Sequence, residues 1–285
     1  MSLELSVLAS GSTGNCSLVR TPSGLMLIDA GIGPRAAAKR MTGLGVSTAD
    51  IKAICLTHLD VDHFNPTWIN QIIAGRMTVY CPEDQAAELH SHARRVKRLD
   101  DLRPHIRLFN GDAFEPLPGV RCVTMRVAHD KQGSHAYRID CGKERLAYAT
   151  DLGHAPAPLI NFFMGTTILA VESNYDPDMQ LSSLRPQRLK HRIMGGAGHL
   201  SNAQAFELVQ GVFNAAARDA ATPLPSHVVL LHRSRQCNCP EIVTRVFSAD
   251  ARIHMRLTLS HPFERTDWLR PVERAALPGE QLRLF

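Results

Sequence analysis

The apolar run Ala53-Ile54-Cys55-Leu56 passes without a break into Thr57-His58-Leu59-Asp60-Val61-Asp62-His63, which packs two imidazoles and two carboxylates into six residues. An apolar run of this kind reads as a buried strand. A strand that stops at His58 delivers nitrogen and oxygen donors to a rim where substrate can arrive, and that donor mixture suits Zn, Mn or Fe. The fold must therefore bring other strand ends to the same edge.

The rest of the chain supplies such ends. Strands are predicted at 5–9, 25–28, 53–57, 77–80, 120–128, 136–139 and 146–150, and buried apolar strands at 167–171 and 228–231. Helical periodicity marks 34–41, 67–74, 83–96, 203–217 and 240–247. Asp140-Cys141-Gly142-Lys143 reads as a hairpin turn, since glycine adopts positive φ at little cost. Strand runs with interspersed helices imply an α/β architecture of layered sheets with helices outside. No linker-like tract or short repeat divides the chain. Residues 1–263 are therefore expected to form one domain. Residues 264–285, punctuated by Arg, Glu, Pro and Gly, are expected to form a partly disordered tail whose end, Leu282 to Phe285, is apolar enough to dock.

With 44% hydrophobic and 21% charged residues, disorder is not the default reading. Seven cysteines, an odd number, do not resemble a disulfide framework and fit a reducing cytoplasm. The start, Met1-Ser2-Leu3-Glu4, shows no basic segment followed by an apolar stretch, and no apolar run approaches the ~18 residues of a membrane span. A cytoplasmic protein without a membrane partner is expected. The net charge of +5 eases approach to a polyanion without requiring one.

Histidines and acids just past predicted strand ends form an ordered set: His58, Asp60, Asp62 and His63, then His129, Asp151 and His232. Such a set is large enough for a two-metal centre, which needs about four ligands per ion with one shared.

This set resembles the metallo-β-lactamase superfamily, whose signature is H-x-H-x-D-H followed by separated His, Asp and His. Other blocks resemble its YycJ-like branch, a group associated with metal-dependent phosphodiester chemistry. They are Leu8-Ala9-Ser10-Gly11-Ser12-Thr13-Gly14-Asn15, Leu27-Ile28-Asp29-Ala30-Gly31, Val127-Ala128-His129-Asp130, Ala149-Thr150-Asp151-Leu152-Gly153, Val171-Glu172-Ser173-Asn174 and Gly198-His199-Leu200-Ser201-Asn202. The resemblance implies an αβ/βα sandwich of two mixed β-sheets between outer helices. It also implies two divalent metal ions and a hydroxide between them that attacks phosphorus or carbonyl carbon. His58, position 60 and His129 would hold one ion, Asp62, His63 and His232 the other, with Asp151 between. Asp62 and His199 would be catalytic, His199, Ser201 and Asn202 would meet a phosphate, and Asn15, Asp29 and Asp130 would stand behind the ligands. Asp60 departs from the pattern, which has histidine there. Its negative charge and harder oxygen should move preference from Zn toward Mn or Fe. The superfamily's flavodi-iron proteins carry Glu at this position.

Plainer readings stand beside these. His129 could simply pair with Asp130, and His135 is a rival ligand, though it opens a strand instead of ending one. Ser201 and Gln204 form a capping box, so His199 could be structural, or the helix start could meet a phosphate; both readings stay open. Ser10 to Asn15 reads as a tight turn, and Cys237 and Cys239 receive no role. Basic clusters at Arg94, Arg95, Lys97 and Arg98 and at Arg185, Arg188, Lys190 and Arg192 would track a nucleic-acid backbone if they flanked the metal rim. The expected substrate is a phosphodiester, foremost nucleic acid. The alternatives are a thioester or lactone, a redox di-iron protein, for which no flavin-binding domain is evident, and a non-catalytic protein whose site Asp60 has disabled.

Overall fold

A computed structural model describes residues 3–271. Strands β1 (Glu4–Ala9), β2 (Cys16–Thr21), β3 (Gly24–Ile28), β4 (Ile51–Cys55), β5 (Thr78–Pro82) and β6 (Ile106–Phe109) make a six-stranded sheet in that order. Strands β7 (Phe114–Leu117), β8 (Val120–Val127), β9 (Ser134–Cys141), β10 (Glu144–Ala149), β11 (Ile168–Glu172), β12 (His227–Leu231) and β13 (Leu257–Leu259) make a seven-stranded sheet, ordered from β13 to β7. The helices are α1 (Pro34–Met41), α2 (Trp68–Gly75), α3 (Ala86–Arg95), α4 (Leu99–Leu102), α5 (Ala157–Phe162), α6 (Pro177–Ser182), α7 (Gln187–Met194), α8 (Asn202–Ala216), α9 (Pro240–Phe247) and α10 (Ala251–His254). No helix among the described residues is long and apolar enough to cross a membrane.

Residue alternation explains the layers. On β3, Met26 and Ile28 join a core between the sheets with Tyr137, Ile139 and Tyr148, while Leu25 and Leu27 join Ala37, Met41, Trp68 and Leu89 beneath α1 to α4. On β12, Val229 and Leu231 face the inter-sheet core, whereas Val228 and Leu230 pack with Leu208, Val212 and Phe247 of the second helical layer. Both faces of these strands are buried, which is why they read as unbroken apolar runs. Four strands escaped the sequence reading, and three of them, β6, β7 and β13, are sheet edges. Edge strands carry weak patterns: β6 exposes Arg107 and Leu108, and β7 contains Pro116, which an edge tolerates because one side of its ladder is unpaired.

The segment assigned to the tail begins by packing on the body. Leu269 and Leu5 exchange backbone hydrogen bonds of 2.8 and 3.0 Å, and Trp268 lies under the Arg20 guanidinium at 3.9 Å. The stretch 282–285 lies outside the described residues.

Strand direction creates the functional edge. β3 and β4 are parallel, as are β10, β11 and β12, while β8 runs with β10 because β9 is antiparallel to both. The chain leaves all six strands on one side and turns sharply there. Asp29, Asp130, Asp151 and His232 have φ of 58°, 40°, 56° and 51°, the left-handed region that costs a non-glycine residue ~1–3 kcal/mol. Holding these conformations requires close support from neighbouring loops.

Gly31 shows how close that support is. Asn15 N donates to Asp62 O at 2.7 Å and Gly31 N to Asn15 O at 2.8 Å, so three loops meet through backbone. A Cβ on Gly31 would lie 1.8 Å from Asp62 O and 2.7 Å from Asn15 N. Gly31→Ala is expected to lower stability by at least ~2 kcal/mol, read as a fall in the urea midpoint. An unchanged midpoint would show that the loops are not locked together as described.

Candidate metal centre

The edge is organised from a buried carboxylate outward. Asp29, fully buried after β3, accepts from Thr57 N at 2.8 Å and from Thr57 Oγ1 at 2.9 and 3.0 Å, which ties the ends of β3 and β4 together. Its Oδ2 also lies 2.7 Å from His63 Nδ1. Between these anchors the chain turns at Asp60, whose carbonyl accepts from His63 N at 2.8 Å and Phe64 N at 3.0 Å. The turn leaves Val61 82% exposed and returns His63 to the interior.

Four histidines then follow one rule: Nδ1 meets the fold and Nε2 meets the cluster. His63 Nδ1 is held by Asp29, and His129 Nδ1 donates to Gly198 O at 2.9 Å. His232 Nδ1 lies 3.0 Å from Glu172 Oε1, and His58 Nδ1 lies 3.0 Å from Thr57 Oγ1 and 3.3 Å from Ser134 Oγ. On the cluster side, His63 Nε2 lies 2.9 Å from Asp151 Oδ2, and His232 Nε2 lies 3.3 Å from Asp62 Oδ2. His129 Nε2 lies 3.7 Å from Asp151 Oδ1 and 3.8 Å from Asp60 Oδ2. Metal-binding histidines are oriented in this way, with the second nitrogen bound to a carboxylate or carbonyl.

Four groups of potential ligand atoms among the described residues fall within 4.8 Å of one another: His58, Asp60 and His129; Asp62, His63 and His232; His58, His63 and Asp151; and Asp151, Glu172, His199 and His232. Asp151 thus lies between the first two. His58 Nε2 is buried without a hydrogen-bond partner. An unpaired buried nitrogen costs ~1–3 kcal/mol unless something occupies its lone pair. The donor set therefore fits a pair of divalent cations.

The electrostatics agree. Burial depresses the pKa of His58 and keeps it neutral, while the imidazoles of His129 and His58, 3.8 and 3.7 Å from its carboxylate, drive Asp60 far below the usual carboxylate range. Burial resists ionisation of Asp151 and Asp62, but the surrounding histidines outweigh it and lower both. Burial likewise opposes charge on His129 and His232, yet Asp60 and Asp151 raise the first to about 9, and Asp151, Asp62 and Glu172 raise the second to about 10. His63, between Asp151 and Asp29, is also raised against the effect of burial. The carboxylates are thus ready to ligate, and three histidines hold protons that must leave before their nitrogens can do so.

All seven residues expected from the sequence meet here, and the groups expected behind them divide. Asn15 accepts from Gly11 N at 2.9 Å through Oδ1 and turns Nδ2 to His63 Nε2 at 2.9 Å and Asp62 Oδ2 at 3.4 Å. Asp130, in contrast, pairs with Arg192 instead of His129. His135 stands apart from these ligand groups, with Nδ1 3.3 Å from Thr57 O and its ring edge-on to Phe109. His199 is close, its Nδ1 2.7 Å from Glu172 Oε1 and its ring 5.2 and 5.1 Å from those of His129 and His232. Ser201 and Asn202 turn away from it. Ser201 closes the capping box of α8 with Gln204, and the buried Asn202 carboxamide bonds Ser173 and Asn238.

Glu172 stands in one of the blocks that carry the resemblance, but the sequence reading gave it no role. Fully buried at the end of β11, it holds His199 and His232 through Oε1 and accepts from Leu152 N at 2.9 Å and Leu200 N at 3.2 Å through Oε2. Its signal was an acid ending an apolar strand, the same signal that marked Asp151. The basic clusters separate as well. Arg188, His191 and Arg192 line a cavity of about 700 Å³ with His58, Asp60 and His129, whereas Arg94 and Lys97 line a different depression with Asp100 and Asp101.

Known proteins are similar to this chain in sequence and fold. It is 25% identical over 248 residues to "Exodeoxyribonuclease YycJ" of Bacillus anthracis, covering 85% of this chain and 86% of that one. It is 26% identical over 206 residues to "Exodeoxyribonuclease WalJ" of Streptococcus pneumoniae, covering 72% and 74%. The crystal structure of the metallo-beta-lactamase fold protein YhfI from Bacillus subtilis superposes with a TM-score of 0.66 at 14% identity, covering 93% of this chain and 99% of that one. The sequence profile described as the beta-lactamase superfamily domain matches residues 25–227, so this chain belongs to that superfamily.

Proposed function

We propose that this protein is a dinuclear-metal phosphodiesterase that acts on nucleic acid, with DNA the preferred substrate. The carrying observation is the pair of groups His58, Asp60, His129 and Asp62, His63, His232 on either side of Asp151, with His58 Nε2 left unpartnered. When bound there, two divalent cations would neutralise phosphate charge and lower the pKa of the attacking water. Asp60 favours Mn or Fe over Zn in the first site. The side chains supply the remainder. Asp62, held by Asn15 and His232, orients the reacting group from the second site. His199 has Nδ1 engaged by Glu172, which leaves Nε2 to carry a proton to the departing oxygen. The cavity beside His58 and His129 is also lined by Glu88 and by the Asp130–Arg192 pair, but Lys131 and Arg188 have no carboxylate partner among the described residues, which favours an anionic substrate over a thioester or lactone. The exodeoxyribonuclease relatives support the choice of DNA.

Reconstitution with Mn, Fe or Zn, followed by assay on end-labelled DNA, RNA, a generic diester and a thioester, tests this reading. Cleavage of DNA and the generic diester is expected, lost on chelation, and activity confined to thioesters would overturn it. Asp151→Ala should bind fewer than two ions per chain by elemental analysis and turn over at least ~100-fold more slowly. Asp60→His should raise the Zn content recovered from a mixed-metal solution relative to Mn; an unchanged ratio would remove Asp60 as a determinant of metal choice. Glu172→Gln places an NH₂ where Oε2 accepts two backbone N–H groups or Oε1 meets two histidines, so activity should fall ~10–100-fold. Full activity would show that Glu172 does not position them.

A further inference from the structure

One cation beside the centre is held by three hydrogen bonds and has no carboxylate partner among the described residues. Arg185, between α6 and α7, donates from Nε to Gln236 Oε1 at 3.1 Å, from Nη1 to Gln180 Oε1 at 3.1 Å and from Nη2 to Ser234 Oγ at 3.3 Å. All three acceptors are neutral, and among the described residues no carboxylate pairs with it. Of its five N–H groups, one on each terminal nitrogen remains free. The neighbouring cations differ: Arg192 is neutralised by Asp130, Lys190 is buried against Leu181 O, and Arg188 is exposed.

Arg185 lines a cavity of about 360 Å³ with Ser12, Asn174, His199 and Ser234, and the carboxylate in its wall, Asp130, is engaged by Arg192. That volume is near the lower end of the ~300–1,000 Å³ of small-molecule sites, suited to one terminal group of a strand. A terminal phosphate carries more charge than an internal diester and offers three oxygens to a guanidinium fork. We infer that Arg185 anchors the terminal phosphomonoester of a DNA strand whose neighbouring linkage lies over the metal centre. Its orientation is set before substrate arrives by Gln180, Ser234 and Gln236, so little side-chain entropy is lost on binding. The inference rests on the phosphodiesterase reading and adds to it a preference for phosphorylated ends.

The test uses metal-loaded protein and oligonucleotides that differ only in bearing a 5′-phosphate, a 3′-phosphate or hydroxyl ends. Wild type should favour one phosphorylated end by roughly tenfold in kcat/KM, the weight of a charge-assisted hydrogen-bond pair. Arg185→Gln should bring that ratio close to one, chiefly through KM, and Arg185→Lys should be intermediate. Fluorescence anisotropy with phosphorothioate-protected oligonucleotides should rank the affinities in the same order. Which end is favoured distinguishes the two sources of the phosphate. Lysine keeps the charge and the stem, so it carries the test if glutamine unsettles the Ser234 loop. Equal rates on phosphate and hydroxyl ends by wild type, or a ratio unchanged in both variants, would overturn the inference. Failure of metal-loaded wild type to cleave any DNA or generic diester would instead sink the phosphodiesterase reading beneath it.

Discussion

The centre depends on the buried carboxylate of Asp29. One side chain ties the end of β3 to Thr57 at the end of β4 and fixes the ring of His63, so strand pairing and ligand orientation share one anchor. A carboxylate with no exposure is tolerable only if its lone pairs are filled, and here a backbone N–H, a hydroxyl and an imidazole fill them. Glu172 plays the matching part in the second sheet, holding two histidines and two backbone N–H groups. The residues that touch the cluster are thus braced from both sheets by acids that lie behind it. Each acid ends a parallel strand, which is how one architectural rule generates both supports.

Much of this was legible in the sequence because burial on both faces leaves apolar strands conspicuous. The runs before Thr57, Asp151 and His232 mark their own ends, and helices α1 and α9 stand where the periodicity puts them, at Pro34–Met41 and Pro240–Phe247. The basic helix α7 was seen only as charges, since its apolar side is as little as Ile193 and the partly buried Leu189 and Met194. Partners remote in the chain were not legible. Glu172 meets His199 and His232 at separations of 27 and 60 residues, and nothing local announces that meeting. Asp130 shows the opposite error. Adjacency to His129 suggested a pair, but a φ of 40° turns the carboxylate toward Arg192. Ser201 and Asn202 stood in a promising block, yet the capping box and the Ser173–Asn238 network hold them inside.

Asp60 can now be weighed by charge and exposure together. It is the most exposed of the proposed ligands, with 46% of its side chain open, and its carboxylate is the one that both His58 and His129 face. A third carboxylate among the proposed ligands lowers the formal balance against two divalent cations by one unit relative to a histidine. That strengthens retention of a hard cation and weakens the pull on an approaching phosphate. On α7 and its approach, Arg192 is already paired with Asp130, whereas Arg185 has no carboxylate partner among the described residues. On the proposed reading, metal choice would rest on Asp60 within the ligand set, and phosphate attraction on Arg185 beside it.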